Sequence, residues 1–132
     1  MKDMVDLKMG SIFANIRWAW QRVMRGWDDR AVWSLDYYFS KLIPEVVTEL
    51  KEREKGVPTA MFDEGDWDDD NYCYREGAVD KATIKWNAIL DDIAEGFARW
   101  NEIMDDCGNP DEDKKVNRAF DLFREHYGSL WW

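Results

Sequence analysis

Apolar positions recur every three to four residues in four stretches of this chain, and no stretch alternates with period two for long. The first runs from about Ser11 to Arg25. Ile12, Ile16, Trp20 and Val23 fall on one helical face, with Phe13 and Ala19 beside them. Ser11 can cap its start, and Gly26 is a natural terminator. The second begins after Asp28 or Asp29 and continues to about Lys55. Its stripe is Val32, Leu35, Phe39, Leu42, Val46 and Leu50. Pro44 lies inside it and removes a backbone donor, which predicts a kink near Ser40 to Ile43 or a break into two helices. The third spans about Val79 to Asp106, with Trp86, Ile89, Ile93, Phe97, Trp100 and Met104 on the stripe and Leu90 and Ile103 widening it. Gly96, inside that run, marks a close helix contact. The fourth opens with Asn109 as cap and Pro110 as first helical residue, and carries Val116, Phe120, Phe123, Tyr127 and Leu130.

Between the second and third stripes, from about Gly56 to Gly77, the helical pattern stops. This stretch contains DEGDWDDDNYCY, in which six of the eight positions from Asp63 to Asp70 are acidic. A connection of this length inside a compact domain is uncommon and tends to be functional. The expected architecture is therefore a single all-α domain over residues 1–132. It is a four-helix, antiparallel bundle with a Pro-kinked second helix and a long acidic loop between helices 2 and 3.

Composition narrows the possibilities further. At 45% hydrophobic and 15% aromatic, with nine Trp in 132 residues, the chain can build a core. Its net charge of −10 repels a phosphate backbone, which argues against direct nucleic-acid binding. Arg17, Arg22, Arg25 and Arg30 gather near the N-terminus, spaced as a solvated helix face. No apolar run is long enough to span a bilayer, and no secretory leader is recognisable at the start, so the expected setting is cytoplasmic. Cys73 and Cys107 match no metal or redox spacing and read as two reduced thiols. The tryptophans divide by position. Trp20, Trp86 and Trp100 lie on stripes and are expected in the core. Trp18, Trp27 and Trp33 surround the first helix–helix turn and can pin it. Trp131 is expected to fold back onto the bundle, whereas Trp132 is as suited to docking on a partner.

Candidate chemistry is sparse. Asp66, Asp68 and Asp70 alternate as at the start of a calcium loop, but Asn71 stands where the sharp turn wants Gly, and Glu76 falls one place short of the bidentate ligand. The pairs Glu49/Glu52 and Glu102/Asp105 have the spacing with which all-α nucleotide pyrophosphohydrolases hold magnesium, yet 28 acidic residues make such pairs common by chance. A di-iron carboxylate site needs Glu-x-x-His, and the single histidine, His126, follows Phe123 at that spacing. Asp36, in WSLDYYF, reads as a boundary carboxylate held by a Trp, Tyr or Arg. No catalytic residue, metal or cofactor is assigned.

Three blocks carry a resemblance. RGWDDRAVWSLDYYFSKLIPEVVTELK (25–51) has a basic-Gly-aromatic start, a W-x-L-D core and an apolar-Pro ending. KWNAILDDIAEGF (85–97) and AFDLFREHYGSLWW (119–132) follow in order. Together they resemble segments of small acidic helical proteins encoded by tailed bacteriophages. That group brings no activity with it. The resemblance implies a setting, the cytoplasm of an infected bacterium.

The function expected from these features is non-enzymatic: a phage accessory protein that binds a host or phage protein, such as a defence factor. Asp66, Trp67, Asp68, Asp69, Asp70 and Trp132 are the expected contact residues, with charge steering the encounter and indole anchoring it. The alternatives are an acidic mimic of DNA, which needs acidic residues spread in rows over one face, and a magnesium-dependent nucleotide hydrolase, which needs Glu49, Glu52, Glu102 and Asp105 to converge.

Overall fold

A computed structural model describes residues 2–53 and 56–131, with side chains from Ser11 onward. Trp132 lies outside the described residues. The chain is mostly helical, as its periodicity predicts. It divides into two units, residues 1–38 and 39–132.

The first unit holds α1 (Lys2–Arg25), α2 (Arg30–Trp33) and the opening turn of α3 (Leu35–Arg53). Gly26 ends α1 as expected. Its φ of 81° suits a residue without Cβ, and its N–H donates to the Arg22 carbonyl at 2.9 Å. The second predicted helix breaks earlier than the Ser40 to Ile43 stretch that proline chemistry suggested. The interruption falls at Ser34, whose φ and ψ of −149° and 80° leave the helical region, whereas α3 runs through Pro44. Asp36 accepts a hydrogen bond from the Ser34 hydroxyl at 2.9 Å, at the start of α3. Trp20 departs from expectation: it is 66% exposed. Only four-residue α2 and the first turn of α3 accompany α1 in its unit, too little to cover that face.

The second unit has a continuous core. Trp86, Leu90 and Ile93 of α4 (Ala78–Asp105) are fully buried, together with Val116 and Ala119 of α5 (Lys114–His126). Full burial of each large apolar side chain contributes roughly 1.5–3 kcal/mol. Helices α4 and α5 pack along one another, joined by a short connection. Gly96 is the reason they can approach. A Cβ there would collide with the Ala119 Cβ and lie 2.6 Å from the Lys115 carbonyl oxygen. Cys107 adopts a φ of 57° at the end of α4, and the Gly108 N–H closes the helix on the Ile103 carbonyl at 2.8 Å.

The fourth predicted helix starts later than Pro110. Asn109 caps a single 3₁₀ turn, Pro110–Glu112, and Asp113 then caps α5 by accepting from the Lys115 and Val116 N–H groups. Asp113 also binds Arg99 of α4 at 2.7 Å, which fixes that start against the neighbouring helix. In α3 the buried edge holds Leu50 as predicted, but Ile43 and Val47 lie one position round from the predicted Leu42 and Val46, so Val46 is exposed. A similar shift in α5 buries Ala119, Leu122 and His126 and leaves Phe120 and Tyr127 on the surface. Trp131 stays largely exposed, lining a groove with Val57 and Pro58 instead of folding into the core. Among the described residues no helix is long and apolar enough to cross a membrane.

Candidate functional site

The segment Gly56–Gly77 is folded rather than a plain loop. Pro58 leads into a 3₁₀ turn, Thr59–Met61, whose Met61 side chain is buried in the core. Phe62 packs at the core edge and stacks on Tyr74, ring centroids 3.9 Å apart and planes 12° from parallel. A tight turn follows. The Asp66 N–H donates to the Asp63 carbonyl at 3.1 Å, and the Asp63 N–H donates to Asp66 Oδ2 at 2.7 Å. Gly65, with φ of 92°, makes the reversal possible.

Beyond it lies a hairpin that the periodicity did not predict. Strand β1 (Trp67–Asp68) pairs antiparallel with β2 (Cys73–Tyr74), Trp67 opposite Tyr74 and Asp68 opposite Cys73. Two-residue strands carry too little alternation to be read from sequence. The connecting turn is organised by Asp68. Its Oδ1 accepts the Asp70 N–H at 3.0 Å and its Oδ2 accepts the Asn71 side-chain amide at 2.9 Å. Arg75 closes the base: its backbone N–H donates to the Asp66 carbonyl and its Nε to the Gly65 carbonyl, both at 2.8 Å.

Helix α4 supplies the counter-charges. Lys81 and Lys85 stand one turn apart on it. Lys81 Nζ lies 2.8 Å from Asp63 and 3.0 Å from Asp66, and Lys85 Nζ lies 2.6 Å from Asp63. The two ammonium groups, Lys81 first, draw the Asp63 carboxyl down to about 2. The Asp63 backbone N–H and then Lys81 lower Asp66, while Asn71 lowers Asp68. Lys81 is raised in turn by Asp63 and Asp66. Half of the acidic run is thereby committed to holding the hairpin's own shape.

What faces outward is smaller than the sequence suggested. Trp67 is 43% exposed, its ring set edge-on to Tyr74 at 5.1 Å between centroids. Glu64, Asp69, Asp70 and Tyr72 are exposed beside it. Of the residues put forward for partner contact, the hairpin thus exposes Trp67 on β1 and Asp69 and Asp70 in its turn. Asp66 and Asp68 are turned to internal partners. Lys81, Lys85, Arg75 and Tyr74 were missed. The four-residue spacing of the two lysines was a signal, but only the reversal at Gly77 reveals that they meet the acidic run.

A second cluster builds the first unit's corner. Asp28 is fully buried. It binds Arg22 at 2.6 Å and Arg30 at 2.7 Å, and its Oδ1 accepts the Arg30 N–H at 3.0 Å, so it caps α2 as well. Asp29 binds Arg17 at 2.7 Å and Arg25 at 2.6 Å, and accepts from Gln21 at 2.9 Å. Hydrogen bonds from Arg30 and then Arg22 hold the Asp28 carboxyl far below its usual range, against the opposing effect of burial, and Gln21 and Arg25 lower Asp29. The four arginines are therefore ligands of an aspartate pair and not a free solvated row. Trp18 and Trp27 pin the turn as expected, under Arg30 at 4.5 Å and Arg25 at 3.8 Å, while Trp33 is exposed.

Both cysteines are free and exposed. Among the described residues no three His, Cys, Asp or Glu side chains converge as metal ligands. Glu49, Glu52, Glu102 and Asp105 therefore do not form the set a magnesium hydrolase requires, and Glu49 is paired with Arg53. Three carboxylates of α4 are paired with neighbouring cations. Asp91 binds Lys51, Asp92 binds Arg118 and Glu95 binds Lys115. No family model matches the chain, and no curated protein or solved structure does either.

Proposed function

We propose that this protein works by binding another protein through the exposed residues of the 67–74 hairpin. The observation that carries the reading is Trp67, an indole left 43% exposed on the first strand of a hairpin braced by an internal ion-pair clasp. A solvent-facing aromatic on a preformed hairpin loses little conformational freedom when it docks. Asp69 and Asp70 stand next to it and can steer a basic partner into place. The phage-like blocks supply the setting we favour: an accessory protein acting on a host or phage protein in the cytoplasm of an infected bacterium.

Deleting residues 63–71 would also remove the partners of Lys81 and Lys85, so point substitutions are the cleaner test. A Trp67→Ala, Asp69→Asn, Asp70→Asn variant keeps Asp63, Asp66 and Asp68 in place. It is expected to lose a partner that the native chain captures from infected-cell lysate, with its circular dichroism unchanged. Undiminished capture of that same partner would rule the hairpin out as the contact.

A further inference from the structure

We propose that the apolar face of α1 is a dimer seam, closed by α1 of a second copy of this chain. The helix carries its apolar residues at alternating steps of four and three: Ile12, Ile16, Ala19, Val23. The sequence continues the same spacing back through Met9 and Val5. This two-in-seven repeat, kept over most of the helix, is the pattern of a seam between paired helices, narrower than the face of a helix lying on a broad core. Phe13 and Trp20 flank it on one side.

The side chains on this face are out of place in water. Ile12, Phe13, Ile16, Trp20, Val23 and Met24 are each more than half exposed. Side chains of this size present on the order of 800 Å² of apolar surface together, the share one partner contributes to an interface of standard size. The core of the second unit is assembled from residues between Ile43 and Leu130. A helix seam of this kind is self-complementary, so one surface patch suffices for a two-fold pair.

The opposite face of α1 argues against a lipid surface as the occupant. An amphipathic helix bound to anionic membrane relies on free cations along its polar side. Here Arg17, Arg22 and Arg25 are bound to Asp28 and Asp29. These three arginines are already neutralised within the unit.

The test is the mass of the full chain in solution, by sedimentation equilibrium from micromolar to millimolar concentration. The native chain is expected at twice its single-chain mass of 15.7 kDa. An Ile16→Asp, Val23→Asp variant is expected to halve that mass. A milder Phe13→Ala, Trp20→Ala variant, which preserves helix propensity, is expected to dissociate at higher concentration than the native dimer. A native chain of single-chain mass throughout would overturn the proposal, as would a dimer that both variants leave undiminished. Sedimentation of single native chains with phosphatidylglycerol vesicles would overturn it in favour of a membrane. None of these outcomes depends on the hairpin, so the two readings fail separately.

Discussion

Gly96 and Asp28 are each fixed by what surrounds them, and each yields a prediction. At Gly96 the helices α4 and α5 are so close that one methyl group meets the Ala119 side chain and the Lys115 backbone. A backbone carbonyl cannot swing aside, so the helices must part. Gly96→Ala is expected to cost about 1–3 kcal/mol despite the better helix propensity of alanine. The check is a lower urea midpoint with an unchanged slope. Asp28 is a different case, a buried carboxylate holding two arginines and one helix N-terminus. Asp28→Asn keeps the shape but replaces one acceptor with a donor that faces a guanidinium. It is expected to speed amide exchange through Arg30–Trp33 and leave exchange in α4 untouched. Equal protection of α2 in both proteins would show that the aspartate's charge is not what holds the corner.

At the scale of elements, the hairpin is held to α4 by charge, so pH should release it. The Asp63 carboxyl is lowered from 3.8 to about 2 in the folded chain, with Asp66 and Asp68 lowered in the same direction. A lowered folded pKa contributes stability that is complete above the unfolded value and is lost as pH falls through the folded one. The hairpin is therefore expected to keep its structure down to about pH 4 and loosen between about pH 4 and 2. The Trp67 indole resonance reports the transition. Lys81→Met should move its midpoint upward, and a midpoint unmoved by that change would mean the clasp is not the cause. The elements also show what the sequence could disclose. The stripe of α4 was readable because one face is far more apolar than the others. In α3 two adjacent faces are apolar, Leu42–Val46 and Ile43–Val47, and periodicity cannot choose between them. The helix breaks at Ser34, where the apolar pattern carries no signal, and runs on through Pro44. The hairpin was legible only as an acidic gap. Its partners, Lys81 and Lys85, lie beyond a chain reversal that spacing alone does not encode.

The whole molecule joins two units of unequal self-sufficiency, and this has a consequence for how it unfolds. Every member of the continuous apolar core lies between Val47 and Leu122, with partly buried support from Ile43 to Leu130. The first unit buries Ala31 and Asp28 and is held chiefly by its aspartate–arginine pairs. The arginines of these pairs are half exposed, so salt weakens the pairs, whereas apolar burial is not screened. A chain of fewer than about 40 residues rarely folds alone without such burial. A chain beginning at Phe39 is therefore expected to unfold in one cooperative transition, followed by near-ultraviolet circular dichroism from the buried Trp86. A peptide of residues 1–38 is expected to show weak helicity that melts gradually and falls further in high salt. If the shorter chain failed to unfold cooperatively, the second core would depend on residues before Phe39. The division of labour argued above, with recognition on one unit and self-association on the other, would then lose its physical basis.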